Sequence, residues 1–113
     1  MGLPGFAYKT ITKSDETTEV GSIMAYRFSE RRTLLAVLWH TRRKMWMFAP
    51  AIGIGFLNDM NYIDRTEEVN RLTAERAARG LGIELPSEEA LTEMCEEGTR
   101  NGWSFGPPEE DPE

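Results

Sequence analysis

His40 is the only histidine and Cys95 the only cysteine among 113 residues, so nucleophilic or metal chemistry would have to be built from these two and the carboxylates. A zinc site would need one His, one Cys and acids, with no CxxC or HxxxH spacing to bring them together. A Cys–His or Ser–His–Asp unit requires His40 beside a nucleophile. Cys95 falls on the apolar face of an expected helix, where a thiol serves as a small hydrophobe with a raised pKa. Gly53-Ile54-Gly55-Phe56-Leu57-Asn58 begins like a dinucleotide-binding loop but carries Asn in place of the third glycine, and no acid follows at the required distance after a second strand. Asp59-Met60-Asn61 opens like a calcium loop, yet Ile63 fills the fifth position, Asp64 stands where Gly is needed and Asn70 ends it. Nothing places two carboxylates in a cleft for hydrolysis. We therefore expect no cofactor, no metal and no catalysis.

The charge pattern carries more. Residues 1–50 hold eight Lys and Arg against four acids, a balance of +4, whereas residues 51–113 hold five Arg against fifteen acids, a balance of −10. An acidic surface disfavours phosphate backbones and attracts basic proteins. Hydrophobic content of 40% is too high for a disordered chain, and 113 residues suffice for one core. We expect a single domain over 1–106 and an extended, disordered acidic tail over 107–113. No basic stretch followed by an apolar run opens the sequence, and Met45 to Leu57 is too short to cross a bilayer. With one cysteine and no disulfide to form, the expected location is cytoplasmic, away from membranes.

The elements that must position these residues read as α+β: an antiparallel sheet of about four strands in the N-terminal half, packed by two or three helices from the C-terminal half. Residues 6–13 and 20–28, rich in Tyr, Thr, Ile, Val and Phe, read as strands around a polar loop. Thr33 to Phe48 fits either a helix or a hairpin. We favour strands 33–40 and 45–49 around the turn Thr41-Arg42-Arg43-Lys44, because a helix through 31–48 would crowd five cations around its ends. Trp39 and Trp46 then face each other across the hairpin, a pairing worth about 0.2–1 kcal/mol. Pro50 suits the first turn of a helix, which Gly53 and Gly55 should weaken to a short turn, before a loop at 58–61 and an extended Tyr62-Ile63.

Asp64 with Glu67 resembles a capping arrangement and Gly80 a stop, predicting helix 65–79 with Val69, Leu72, Thr73 and Ala77 inward. Glu67–Arg71 and Glu75–Arg79 would pair on its surface. Ser87 caps a second helix over 88–97, ended by Gly98, with Ala90, Leu91, Met94 and Cys95 on one face. Glu96 and Glu97 would then oppose its dipole. Trp103 and Phe105 tuck back onto the body. The helices cover one face of the sheet.

Two basic clusters flank strand 33–40, Arg27, Arg31 and Arg32 at one end and Arg42, Arg43 and Lys44 at the other, roughly 25 Å apart. Such separation argues against one phosphate-binding surface. Glu88, Glu89, Glu93, Glu96 and Glu97 cluster on one helix, where like charge steers a basic partner. The plain alternative is a solvated face. Small acidic proteins that neutralise basic enzymes, such as immunity proteins, use this physics, although the likeness here is one of charge and size only. The expected function is protein binding without catalysis, as an immunity-type or regulatory inhibitor, with Trp39 and Trp46 as anchors. The alternatives are a nucleic-acid-associated regulator using Arg42, Arg43 and Lys44, with the tryptophans for stacking, and a ligand-binding or enzymatic domain with an unfamiliar carboxylate site. The sequence leaves the oligomeric state open.

Overall fold

Polar turns cut the N-terminal half into apolar runs, and a computed structural model, describing residues 5–12, 20–58, 66–104 and 106, shows each run as a strand. Strands β1 (Ala7–Thr12), β2 (Val20–Phe28), β3 (Leu34–His40) and β4 (Met45–Phe48) are followed by helix α1 (Pro50–Asn58) and strand β5 (Thr66–Val69). Helices α2 (Arg71–Gly80) and α3 (Glu88–Asn101) complete the order. The sheet runs β4-β3-β2-β1-β5 with every neighbouring pair antiparallel. The architecture is α+β, as expected, with five strands rather than four. The expected hairpin forms, pairing Val37 with Phe48, Leu38 with Met47 and Trp39 with Trp46.

The fifth strand comes from the segment expected to open a helix over 65–79. Thr66, Glu67, Glu68 and Val69 instead pair with Ile11, Thr10, Lys9 and Tyr8 of β1. Thr66 and Val69 are β-branched and suit a pleat, and Glu68 lies opposite Lys9, a favourable charge pair. The helix begins after Asn70, whose extended backbone and side chain cap it by accepting from the Thr73 N–H at 2.9 Å. The inward face shifts with the start: Ala74 and Ala78 are buried, whereas Thr73 and Leu72, the latter 54% exposed, face solvent. Gly80 is the last helical residue, and Gly82 makes the stop at φ 76°. The Gly82 and Ile83 N–H groups close the last turn onto Arg79 and Ala78. In place of the expected Glu67–Arg71 and Glu75–Arg79 pairs, Arg71 Nε meets Glu75 at 3.0 Å.

Two cores flank the sheet. On one face Tyr8, Ile23, Val37 and Phe48 pack beneath α2 and α3, and Trp103 tucks against this core as expected. On the other face Met24, Leu34, Leu38 and Met47 pack beneath α1 through Ile52, Phe56 and Leu57. Helices cover both faces rather than one, because β3 is apolar at every position from Leu34 to Trp39 and sends alternate side chains each way.

Two glycines set how closely these layers approach. Gly53 is buried in α1, where a Cβ would stand 2.7 Å from Ala36 Cβ. The segment expected as a weak turn is thus a nine-residue helix seated on β3. Gly98, expected to end the last helix, is buried within α3, where a Cβ would overlap the Phe48 ring. The helix continues to Asn101 and stops at Gly102, φ 71°. Glu96 and Glu97 therefore lie inside the helix, with Arg100 in the final turn, and the expected clash with the dipole is relieved. The N-cap is Ser87 as expected, accepting from the Ala90 N–H at 3.1 Å. Residues 59–61 of the expected loop, the extended piece at Tyr62-Ile63, the N-cap Asp64, Phe105 and the tail 107–113 lie outside the described residues.

Gly53→Ala and Gly98→Ala are each expected to lower the unfolding free energy by about 1–3 kcal/mol. Gly55→Ala, whose Cβ meets nothing within 4 Å, should raise it by about 0.5–1 kcal/mol. Urea unfolding of the three variants checks this, and a stabilised Gly98→Ala would contradict the close approach.

Candidate functional site

Arg71 opens α2 beside the buried ring of Tyr8 and uses its whole guanidinium there. Its Nη1 donates to Tyr8 Oη at 2.6 Å, its Nη2 to the Pro86 carbonyl at 2.9 Å and its Nε to Glu75 Oε2 at 3.0 Å. The guanidinium carbon stands 5.5 Å from the Tyr8 ring centre. Tyr8 in turn donates to Glu88 Oε2 at 3.1 Å, and the Phe6 N–H reaches the same oxygen at 3.3 Å. These bonds join β1, α2, the α2–α3 connection and α3. Burial raises the Tyr8 pKa, opposed by the bond and charge of Arg71 and reinforced by Glu88. Sequence reasoning missed this cluster, because Glu67 and Glu75 are equally spaced from Arg71.

Among the expected docking residues, Glu88 is spent on this clamp. Glu89, Glu93, Glu96 and Glu97 remain together on the outward face of α3, all exposed. Trp39 and Trp46 are brought together as the hairpin requires, with ring centres 5.6 Å apart at 63°. Both are half-buried, and Trp46 Nε1 donates to the Glu84 carbonyl at 3.1 Å, fastening the hairpin to the α2–α3 connection. The rings meet edge to face, so the edge of one covers part of the face on which a base would stack.

The basic clusters sit at opposite ends of β3, as the spacing requires. Arg42, Arg43 and Lys44 form the β3–β4 turn, where Lys44 takes φ 55° and Arg43 Nη1 folds back toward Met47 Sδ at 3.5 Å. At the other end Arg32 takes φ 63°, and Arg27 lies 4.8 Å over the Phe6 ring. Cys95 is buried in α3, and burial pushes its thiol up to about 11, against the pull of Arg27 and with a push from Glu96. It packs as a small hydrophobe, as its helical position implied. Among the described residues no group of three His, Cys, Asp or Glu could hold a metal ion, and no helix is long and apolar enough to cross a membrane.

On the α1 face Tyr26 donates to Glu68 at 2.6 Å, reaching across β1, and burial, then that carboxylate, pushes its pKa up to about 12. A tyrosine that holds its proton more tightly folded than unfolded stabilises the fold below its unfolded value of about 10, and the contribution is lost as pH rises through the folded value. The unfolding free energy should therefore fall between about pH 10 and pH 12, and Tyr26→Phe should flatten that slope in denaturant titrations. Arg71→Met should cost about 1.5–3 kcal/mol by urea unfolding, whereas Arg76→Met, at an exposed position of the same helix, should stay within about 0.5 kcal/mol of the parent. Comparison of the chain with family models, curated proteins and solved structures finds no match.

Proposed function

We propose that this protein is a binding module without catalysis, whose helix α3 docks a basic protein. One observation supports the reading above the rest. Glu89, Glu93, Glu96 and Glu97 are exposed on a single helix, and none forms an ion pair with a described residue, although Arg100 lies one turn beyond Glu96. Unneutralised charge on a rigid element raises the local concentration of an oppositely charged partner and speeds productive encounter. Rigidity comes from the Ser87 cap, from the buried Leu91, Cys95 and Gly98, and from the hold of Glu88 on Tyr8. The Trp39–Trp46 pair supplies an apolar anchor next to the α2–α3 connection. Occlusion of a basic surface in this way is the mechanism of a regulatory or immunity-type inhibitor.

The test compares the intact chain with a Glu89→Lys, Glu93→Lys, Glu97→Lys variant. Each is used as bait in its native host with stepwise salt elution, and the association rate of the captured protein is then measured. A basic protein is expected to leave the parent with salt and to associate with the variant at least about tenfold more slowly. Equal rates, or nucleic acid as the salt-released species, would overturn the reading.

A further inference from the structure

Helix α3 packs on β3 and β4, and between one of its sides and the end of β2 lies a groove of about 400 Å³, within the range of about 300–1,000 Å³ found for ligand pockets. One wall comes from Arg27 and Leu35, which sit directly opposite each other across the β2–β3 pair. The other comes from Cys95, Glu96, Thr99 and Arg100, which share one side of α3. The surface between the walls is chiefly apolar, with the half-buried Leu35 and the buried Cys95 at its base.

Three charges border this apolar base, and none is neutralised by a described residue. Arg27 rests on the Phe6 ring without an ion pair, Arg100 pairs with no described acid although Glu96 lies one turn away, and Glu96 pairs with neither arginine. Arg27 and Glu96 are nonetheless both close to the base, since the Cys95 thiol is pulled down by the first and pushed up by the second. Glu93 and Glu97 on α3 do not line the groove, and neither do Glu30, Arg31 and Arg32 in the β2–β3 turn. An apolar surface set between unpaired charges of both signs is complementary to a ligand that is itself apolar and carries both signs.

We propose that this groove binds a free α-amino acid with an apolar side chain, its carboxylate on Arg27 and Arg100, its ammonium on Glu96 and its side chain over Leu35 and Cys95. A guanidinium offers a carboxylate paired donors. The ammonium offsets the repulsion that Glu96 would exert on a plain anion. A peptide end carries only one of the two charges, and glycine lacks the side chain, so each meets only part of the site.

The test follows backbone amide shifts of the isotopically labelled full chain during titration with L-leucine and, separately, with leucinamide, N-acetyl-L-leucine and glycine. Leucine is expected to move the amides of Arg27, Leu35, Cys95 and Thr99 with a Kd of about 1 mM or tighter. Leucinamide, which lacks the carboxylate, and N-acetyl-L-leucine, which lacks the ammonium, should each bind about tenfold more weakly. Arg27→Met should remove most of the preference for leucine over its amide, and Glu96→Gln the preference over the acetylated form. Should Arg27→Met fail to fold, Glu96→Gln, at an exposed position, still decides the matter. Equal affinity for leucine and either derivative, shifts confined to other residues, or no shift with leucine would each overturn the proposal. So would glycine binding as tightly as leucine, since the apolar base would then play no part. The docking test reverses Glu89, Glu93 and Glu97, none of which lines the groove, so the two readings fail separately.

Discussion

The central strand β3 has to be kept dry on both sides, and the rest of the fold follows from that. Leu34, Ala36 and Leu38 point to one face, and Leu35, Val37 and Trp39 to the other. Each large apolar side chain returned to water would cost about 1.5–3 kcal/mol. Neither face can therefore be left open, and the chain must supply a layer to each. It does so economically on the first face, since α1 follows β4 after Ala49 alone, and the Ala49 N–H is tied to the Ala36 carbonyl at 2.9 Å. The second face is covered by α2 and α3, which arrive only after the chain has crossed to the far edge of the sheet as β5.

A layer that arrives late needs fixing in place, and α2 brings little apolar area for the purpose. Its buried residues are Ala74 and Ala78, which permit close approach but remove little surface from water. Arg71 compensates with bonds to Tyr8, Pro86 and Glu75 that set the helix against β1 and against the connection to α3. Tyr8 passes the constraint on to Glu88, accepting from the guanidinium and donating to the carboxylate. Because these groups are partly withdrawn from water, each bond counts for more than a surface pair does and each unmade bond costs more. One of the five glutamates of α3 thus serves the fold, and four are left to face outward.

What could be read from the sequence was whatever its neighbours decide. The hairpin follows from a polar turn between two apolar runs, and the start of α3 follows from Ser87 with acids behind it. The misassigned features depend on partners far along the chain. Gly98 looks like a helix stop until Phe48 occupies the space its side chain would need, and Gly53 looks like a helix breaker until Ala36 does the same. Thr66–Val69 is short and acidic, and its strand character comes from β1, which lies more than fifty residues earlier. The two-sided cover was in fact written in the unbroken apolar run of β3, since such runs belong to sheets buried on both faces. Of the candidate docking surface, the acidic face was legible from composition, and the diversion of Glu88 to Tyr8 was not.

The same geometry decides where the acidic residues of the last helix come to lie. Seated on β3, α1 packs Ile52, Phe56 and Leu57 over its face of the sheet. The acidic residues of α3 belong to the layer on the other face. Arg27 and Arg71 are engaged with Phe6 and with the Tyr8 clamp rather than with the exposed glutamates.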